Sequence, residues 1–431
     1  MDSSRTILRD ARLPDGRITD VTIIDGFISH IGSSERADSD EILFCNHQLL
    51  VPASIDMHVH MRDGVQSAKE TWESGTQSAL AGGVSLVVDQ PNTIPPLTTK
   101  NAFLNRLERA RNGSYTHFII NGGITNETTP ADISDLLDGG VLAFGEVFYG
   151  PSSYGEPISK ETLSSAFHEL QHSSVLVAIH AETVTDGRDI SLQTHDELRS
   201  IAGECAAIQD VTMFAKSCLL SPSMKVHICH VSSAQSLELL ASLPHMSAEV
   251  MPHHLFLSRD MVPDEAWYKM NPPIRTEQER KRLWEWWPYI DVIASDHAPH
   301  TIAEKEGEFE NAPSGVPGVE TMIPLIMAEV QSGRIPLSDM IQKTVSRPTE
   351  LLGISAPGIS IGSRADLCLY PDTITQIDAD RLHSKAGWSP FEGMDAIFPS
   401  FVLLSGQVAY DAGSDRFVKR EVKWFCRSSD S

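Results

Sequence analysis

The chain has 431 residues, 41% hydrophobic and 21% charged, which is the composition of a globular protein able to bury one large barrel or two domains. Its formal net charge of −24 argues against nucleic acid or an anionic membrane as partner, because those surfaces call for a basic patch. No apolar run reaches the length of a membrane span, and residues 1–20 are charged and lack a signal-peptide core. The six cysteines (Cys45, Cys205, Cys218, Cys229, Cys368, Cys426) are scattered without a CxxC pair, so a reducing, cytoplasmic setting is expected.

In chain order, residues 5–50 read as short alternating segments with turns such as Asp25-Gly26, and residues 358–431 read the same way, with Ser405-Gly406. Together they predict a small composite β-sandwich-like domain built from residues 1–50 and 355–431. Between them, apolar β-rich runs end at 56–62, 84–92, 117–125, 141–148, 175–182, 225–232, 248–254 and 291–300. Helical patterns fill most of the gaps, at 67–81, 99–111, 160–172, 196–219, 234–243, 277–286 and 319–331. Eight buried strands alternating with helices predict an α/β fold, a (β/α)8 TIM barrel over residues 51–354.

In such a barrel the chemistry sits at the C-terminal ends of the strands. His58, His60, Asn92, Glu146, His180, His230 and Asp296 each close one of the hydrophobic runs. His58 and His60 alternate on one strand and so share a face, about 7 Å apart. A binuclear hydrolytic site needs roughly four neutral imidazoles, a bridging carboxylate and a second carboxylate to handle the proton. The strand ends supply that set: His58, His60 and Asp296 for the more buried ion, His180 and His230 for the more exposed one, and Glu146 as the bridge. Zinc suits imidazole ligands and an open coordination position, so two Zn2+ ions per chain are expected. His253 and His254 read as lining of the seventh strand, and Trp284, Trp286 and Trp287 as packing. Residues 301–317, rich in Glu, Gly and Pro, read equally as a mobile loop over the site and as a plain solvated connection.

Several segments carry a resemblance. Asp56-Met57-His58-Val59-His60-Met61-Arg62 has the form Asp-x-His-x-His-x-Arg. A second signature is Ser295-Asp296-His297-Ala298-Pro299-His300, followed by Lys305. Between and after these lie Pro91-Asn92-Thr93, His180-Ala181-Glu182, the segment 227–232, the segment 268–273, the segment 317–321 and Ser389-Pro390-Phe391-Glu392-Gly393. On these motifs the chain resembles the dihydroorotase family of the amidohydrolase superfamily over nearly its whole length. Two departures stand out. Many members bridge the metals with a carbamylated lysine on the fourth strand, whereas this chain has no lysine between Lys100 and Lys160 and offers Glu146 there. Asp63-Gly64 stands where relatives commonly have Glu-Pro.

The resemblance implies a zinc-dependent, reversible conversion of N-carbamoyl-L-aspartate to L-dihydroorotate plus water, a step of de novo pyrimidine (UMP) synthesis. It implies Arg62 as the bidentate partner of the substrate carboxylate, with Asn92, Asn271 and His300 as further binding residues. It implies Asp296 as the group that carries the proton between water and ring nitrogen. The rival readings are another cyclic amidohydrolase (dihydropyrimidinase, hydantoinase or allantoinase) and an inactive relative kept as a scaffold. Arg62 disfavours the first, since neutral rings give it no carboxylate, and the complete ligand set disfavours the second. A small-molecule substrate, with no nucleic acid and no membrane, is the partner expected. A homodimer and an association with aspartate carbamoyltransferase are left open by the sequence.

Overall fold

Eight parallel, almost wholly buried strands form the centre of the computed structural model, which describes residues 5–38, 40–151, 157–218, 224–243 and 245–427. They run Ser54–Val59, Val84–Asp89, His117–Ile120, Ala143–Tyr149, Leu176–Ala181, Lys225–Ile228, Met246–Val250 and Val292–Ile293, one in each of the eight predicted runs. The first three pair as one parallel sheet and the other five as another, each strand beside its neighbour in sequence. Isolated bridges between Gly122 and Phe144 and between Val59 and His297 join the two sheets, which closes the ring. The first and eighth strands are stitched further at their ends: His60 donates its amide to the His297 carbonyl (2.8 Å), and Asp56 Oδ1 accepts from the Ser295 amide (3.0 Å). The (β/α)8 expectation holds. Strands covered on both faces read as continuous apolar runs rather than alternations, which is why they stood out in the sequence.

Alternate strand residues fall into two hydrophobic clusters. Leu86, Val88, Ile119 and Leu176 belong to one, while Val87, Phe118, Ile120, Val177 and Ile179 belong to the layer between strands and helices. Seven helical patterns correspond to helices, with two differences. The pattern at 196–219 is two helices, Leu192–Leu198 and Ile201–Cys218, separated at Arg199, whose backbone leaves the helical region (φ −111°, ψ 53°). A helix absent from the sequence reading, Pro130–Asp138, crosses from the third strand to the fourth. Its apolar stripe is only Ile133 and Leu136, too short to register as a period. Its start signal was nonetheless present: Thr129 caps the helix in a capping box with Asp132, and Pro130 sits in its first turn.

The two flanks join in one nine-stranded sheet. Leu49–Pro52 pairs antiparallel with Leu367–Tyr370, and the sheet continues through Arg5–Arg12 on one side and Phe401–Leu404 on the other. Both predicted hairpin turns are two-residue loops with positive φ at each position: Asp25 (50°) and Gly26 (84°), Ser405 (46°) and Gly406 (76°). The two tips meet, since a Cβ on Gly26 would lie 3.0 Å from Ser405 Cβ. Cys368, Tyr370, Val402 and Leu404 face the barrel layer, while Leu367, Leu369 and Leu403 close a separate core with Leu8 and Val21.

Trp72 opens the helix after the first strand. It is fully buried, tilted against Phe118 (ring centroids 5.5 Å) and capped by the Arg106 guanidinium 5.0 Å from its ring. Trp72→Ala should lower unfolding stability by about 3–5 kcal/mol through the cavity it leaves. A chemical denaturation midpoint indistinguishable from the parent would remove this ring from the core that orients the first strand.

Candidate active site

The polar residues that end the strands converge in one place. His58 and His60 leave the first strand, Glu146 sits in the fourth, His180 in the fifth, and His230 and Asp296 follow the sixth and eighth. The nitrogen and oxygen atoms of His58, His60 and Asp296 lie within 4.8 Å of one another, as do those of Glu146, His180 and His230. Glu146 reaches both groups: Oε1 is 3.1 Å from His180 Nδ1 and 2.6 Å from His230 Nε2, and Oε2 is 3.6 Å from His58 Nε2. Asp296 Oδ1 is 3.0 Å from His60 Nε2 and 3.5 Å from His58 Nε2.

The backbone is bent to make this possible. Arg62, His230 and Asp296 all adopt left-handed φ (46°, 37° and 45°), a conformation that costs free energy for side-chain-bearing residues and concentrates at functional sites. Gly145, with φ of 129°, precedes Glu146; a Cβ there would sit 2.3 Å from the Ala178 carbonyl oxygen, so only glycine brings the fourth strand this close to the fifth.

Three of the four imidazoles are also held from behind. His58 Nδ1 donates to Glu249 (2.6 Å), His60 Nδ1 to Asn92 Oδ1 (2.7 Å), and His180 Nε2 to Glu182 (3.2 Å). His58 Nε2 and His230 Nδ1 are buried without a hydrogen-bond partner. His58 Nε2, orphaned between the Glu146 (3.6 Å) and Asp296 (3.5 Å) carboxylates at distances too long for a hydrogen bond, fits a divalent ion better than it fits a closed polar network. The charge balance agrees. Burial opposes an imidazolium at His180, yet Glu146 and Glu182 lift it to about 9, and His58 is raised well above its usual value against the same burial by Glu249 and Asp296. Burial pushes Glu249 up, but His58 and His227 hold it well below the carboxylate range. The carboxylates thus create a potential that demands positive charge, and neutral imidazoles around a dication meet it with less desolvation than imidazolium ions. A third group, His58, Cys229 and Glu249, shares His58; burial drives the Cys229 thiol up, which keeps its proton on and makes it a poor ligand.

A cavity of about 420 Å³ opens over this cluster. Arg62, Asn92, Asn271 and His300 all line it, as the resemblance implied. Asn92 has committed its carbonyl to His60, leaving its NH2 for the cavity. Residues 313–315 form part of the wall, and Lys305, 1% exposed, pins them by donating to the carbonyls of Pro313 (3.0 Å), Gly315 (3.1 Å) and Lys269 (3.2 Å). Burial, and then Lys269, lowers the Lys305 ammonium to about 7. Within the segment 301–317 it is residues 313–315, tied to buried Lys305, that line the cavity. His253 and His254 belong to the short helix Pro252–Phe256, buried and outside the cavity lining; the seventh strand ends earlier than expected because Pro252 starts that helix. Trp284 and Trp287 stack on each other (5.4 Å), also away from the cavity.

Sequence reasoning gave no role to Lys69, Glu182, Arg199 or Glu249. Lys69 and Arg199 add cations to the wall, and Arg199 pairs with Glu182 behind His180. Signals existed for two of them: Glu249 is a carboxylate inside an apolar strand, buried only when paired, and Glu182 stands two residues after His180, on the same face of the strand end. Glu249→Gln removes the anion behind His58 and should weaken divalent-metal affinity by about 10–100-fold. Competition with a chelator measures it, and unchanged metal retention would take Glu249 out of the site.

Residues 49–386 match the amidohydrolase family. The dihydroorotase of Methanosarcina acetivorans is 38% identical over 421 residues, 91% of this chain and 89% of that one. The dihydroorotase of Halobacterium salinarum is 36% identical over 94% of this chain and 96% of its own. Among solved structures, the L-hydantoinase (dihydropyrimidinase) of Arthrobacter aurescens superposes with a TM-score of 0.89 at 24% identity, covering 98% of this chain and 99% of its own. A D-hydantoinase (dihydropyrimidinase) from Thermus sp. gives 0.85 at 20%, over 98% and 99%. At those identities the superpositions speak for the fold, and it is the length and identity of the sequence matches, laid over the strand-end cluster of histidines and carboxylates, that place this chain in the amidohydrolase family.

Proposed function

We propose that the chain is a dihydroorotase, interconverting N-carbamoyl-L-aspartate and L-dihydroorotate plus water. The observation that carries this reading is the juxtaposition of a cationic wall, with Arg62 at its centre, and the strand-end histidine–carboxylate cluster across one small cavity. The chain as a whole is strongly acidic, so an anionic substrate needs such a local patch to enter and stay. Arg62, buried and anchored through its carbonyl by Arg106 (2.5 Å), has the planar fork that matches an exocyclic carboxylate. The similarity to dihydroorotases supports the same assignment.

Zinc is the metal we assign, two per chain, with His58, His60 and Asp296 holding one ion, His180 and His230 the other, and Glu146 shared. When bound, the ions polarise the attacked carbonyl and bring the pKa of water toward neutrality. The protein's own part is orientation and proton transfer. Arg62, with donors from Asn92, Asn271 and His300, fixes the ring by its carboxylate so that the scissile amide faces Asp296. The Asp296 carboxylate takes the proton of the attacking water and returns it to the departing ring nitrogen. Ring closure runs through the same atoms in reverse. Glu249, Asn92 and Glu182 keep three of the imidazoles from rotating while this happens.

Arg62→Met should cut turnover of dihydroorotate by the equivalent of about 2–5 kcal/mol while leaving zinc content unchanged. A parent protein that prefers dihydrouracil or hydantoin to dihydroorotate would instead make it a dihydropyrimidinase or hydantoinase.

Asp296→Asn keeps the shape but cannot carry a proton, and it should abolish both directions in a folded protein. Elemental analysis of parent enzyme purified without chelator should find between about one and two zinc per chain. A metal-free preparation with full activity, or an Asp296→Asn variant turning over at a tenth of the parental rate, contradicts this assignment.

A further inference from the structure

Lys69 lies between the first strand and the helix that follows it, with its ammonium on the cavity wall. Its Nζ donates to His300 Nδ1 (3.1 Å) and pairs with Glu304 Oε1 (2.7 Å). Glu304 is fixed in turn by the amide (3.0 Å) and hydroxyl (3.1 Å) of Thr301. On the other side of the ring, His300 Nε2 lies 3.0 Å from the Ser314 carbonyl oxygen and 3.4 Å from Arg62 Nη2.

The partners decide the tautomer. The Lys69 ammonium can only donate, so Nδ1 must be the acceptor; at Nε2 the Ser314 carbonyl, which can only accept, is nearer (3.0 Å) than the donating Arg62 Nη2 (3.4 Å), so Nε2 carries the hydrogen. Burial and the neighbouring Arg62 and Lys69 charges also disfavour a second proton on the ring. His300 is therefore a neutral imidazole with its N–H on the edge beside Arg62. That orientation matters because Glu304 Oε2 is only 3.6 Å from Nδ1. Without the ammonium between them, this carboxylate draws the ring hydrogen to Nδ1 and leaves a lone pair on Nε2, facing the place where Arg62 holds an anion.

We propose that Lys69 is a positioning residue that sets substrate specificity: it locks His300 in the Nε2–H tautomer, so that the Arg62 side of the cavity presents a donor to a substrate carboxylate. The inference rests on the dihydroorotase reading, within which it adds a residue and a task. When the substrate enters, its carboxylate shares the Nε2–H with the Ser314 carbonyl, and Lys69 never has to touch the reacting atoms.

Two measurements on the zinc-loaded full chain test this. Two-bond proton–nitrogen spectra of enzyme labelled with 15N-histidine, assigned with a His300→Asn sample, should read Nε2–H at His300 in the parent and Nδ1–H in Lys69→Met. In steady-state ring opening, Lys69→Met should raise KM for dihydroorotate by about tenfold, the loss of one charge-facing hydrogen bond, with a much smaller change in kcat. Lys69→Met/Glu304→Gln should recover most of the KM, because the carboxylate that pulls the hydrogen is gone. Nδ1–H or an imidazolium in the parent spectrum overturns the proposal without any variant, as does a Lys69→Met enzyme with the parental KM. Parent enzyme with an Nε2–H His300 but no turnover of dihydroorotate overturns the underlying reading instead.

Discussion

Everything at the mouth of this barrel follows from placing Glu146 among three imidazoles, away from water. A buried carboxylate is costly unless compensated, and here the compensation comes from His58, His180 and His230, each on a different strand. To bring them together the fourth and fifth strands must approach more closely than side chains permit, which Gly145 allows. The strand ends must also turn sharply, which Arg62, His230 and Asp296 do in left-handed conformations. The rest of the barrel, with its continuous apolar strands and its stitching between the first and eighth, supplies the rigidity that holds this strained arrangement in place.

Behind that centre lies a second ring of charge. Glu249 lies between His58 and His227, Glu182 between His180 and Arg199, and Asp89 accepts both an Arg106 fork and the Met61 amide. These carboxylates do not face the cavity, yet Glu249 and Glu182 decide which nitrogen His58 and His180 offer to it. Arg106 extends the same logic to the substrate side, because its guanidinium also grips the Arg62 carbonyl. A charge network of this kind fixes orientation more than it adds stability, since each buried pair gives back much of its attraction in desolvation.

The structural likeness to hydantoinases and the sequence likeness to dihydroorotases are consistent with each other. A (β/α)8 scaffold with its chemistry at the strand ends can change substrate by changing loops while the centre stays. In this chain the loops bring Arg62 and Lys69 to the cavity wall beside His300, and Arg199 to it behind His180, local cations in a chain that is acidic as a whole. Lys305 holds the wall segment next to Arg62 and His300 by tying three backbone carbonyls to one buried ammonium.

The sequence by itself determined the barrel, because strands buried on both faces write themselves as apolar runs, and a histidine or carboxylate closing such a run is conspicuous. His58, His60, Glu146, His180, His230 and Asp296 were legible for that reason, and Arg62 because it continues the row begun by the two histidines. The hairpin turns Asp25-Gly26 and Ser405-Gly406 were legible because positive φ restricts the residues that fit. Only the tertiary structure decided what stands behind and beside these groups. Glu249 meets His58 across 191 positions of sequence, and Lys69 meets His300 across 231, through contacts between elements that no periodicity encodes. The helix Pro130–Asp138 escaped for a related reason: its stripe is two residues wide, and its place is set by the barrel it must cross rather than by its own pattern. Local patterns record what a segment buries, while the partner of a polar side chain is chosen by the fold.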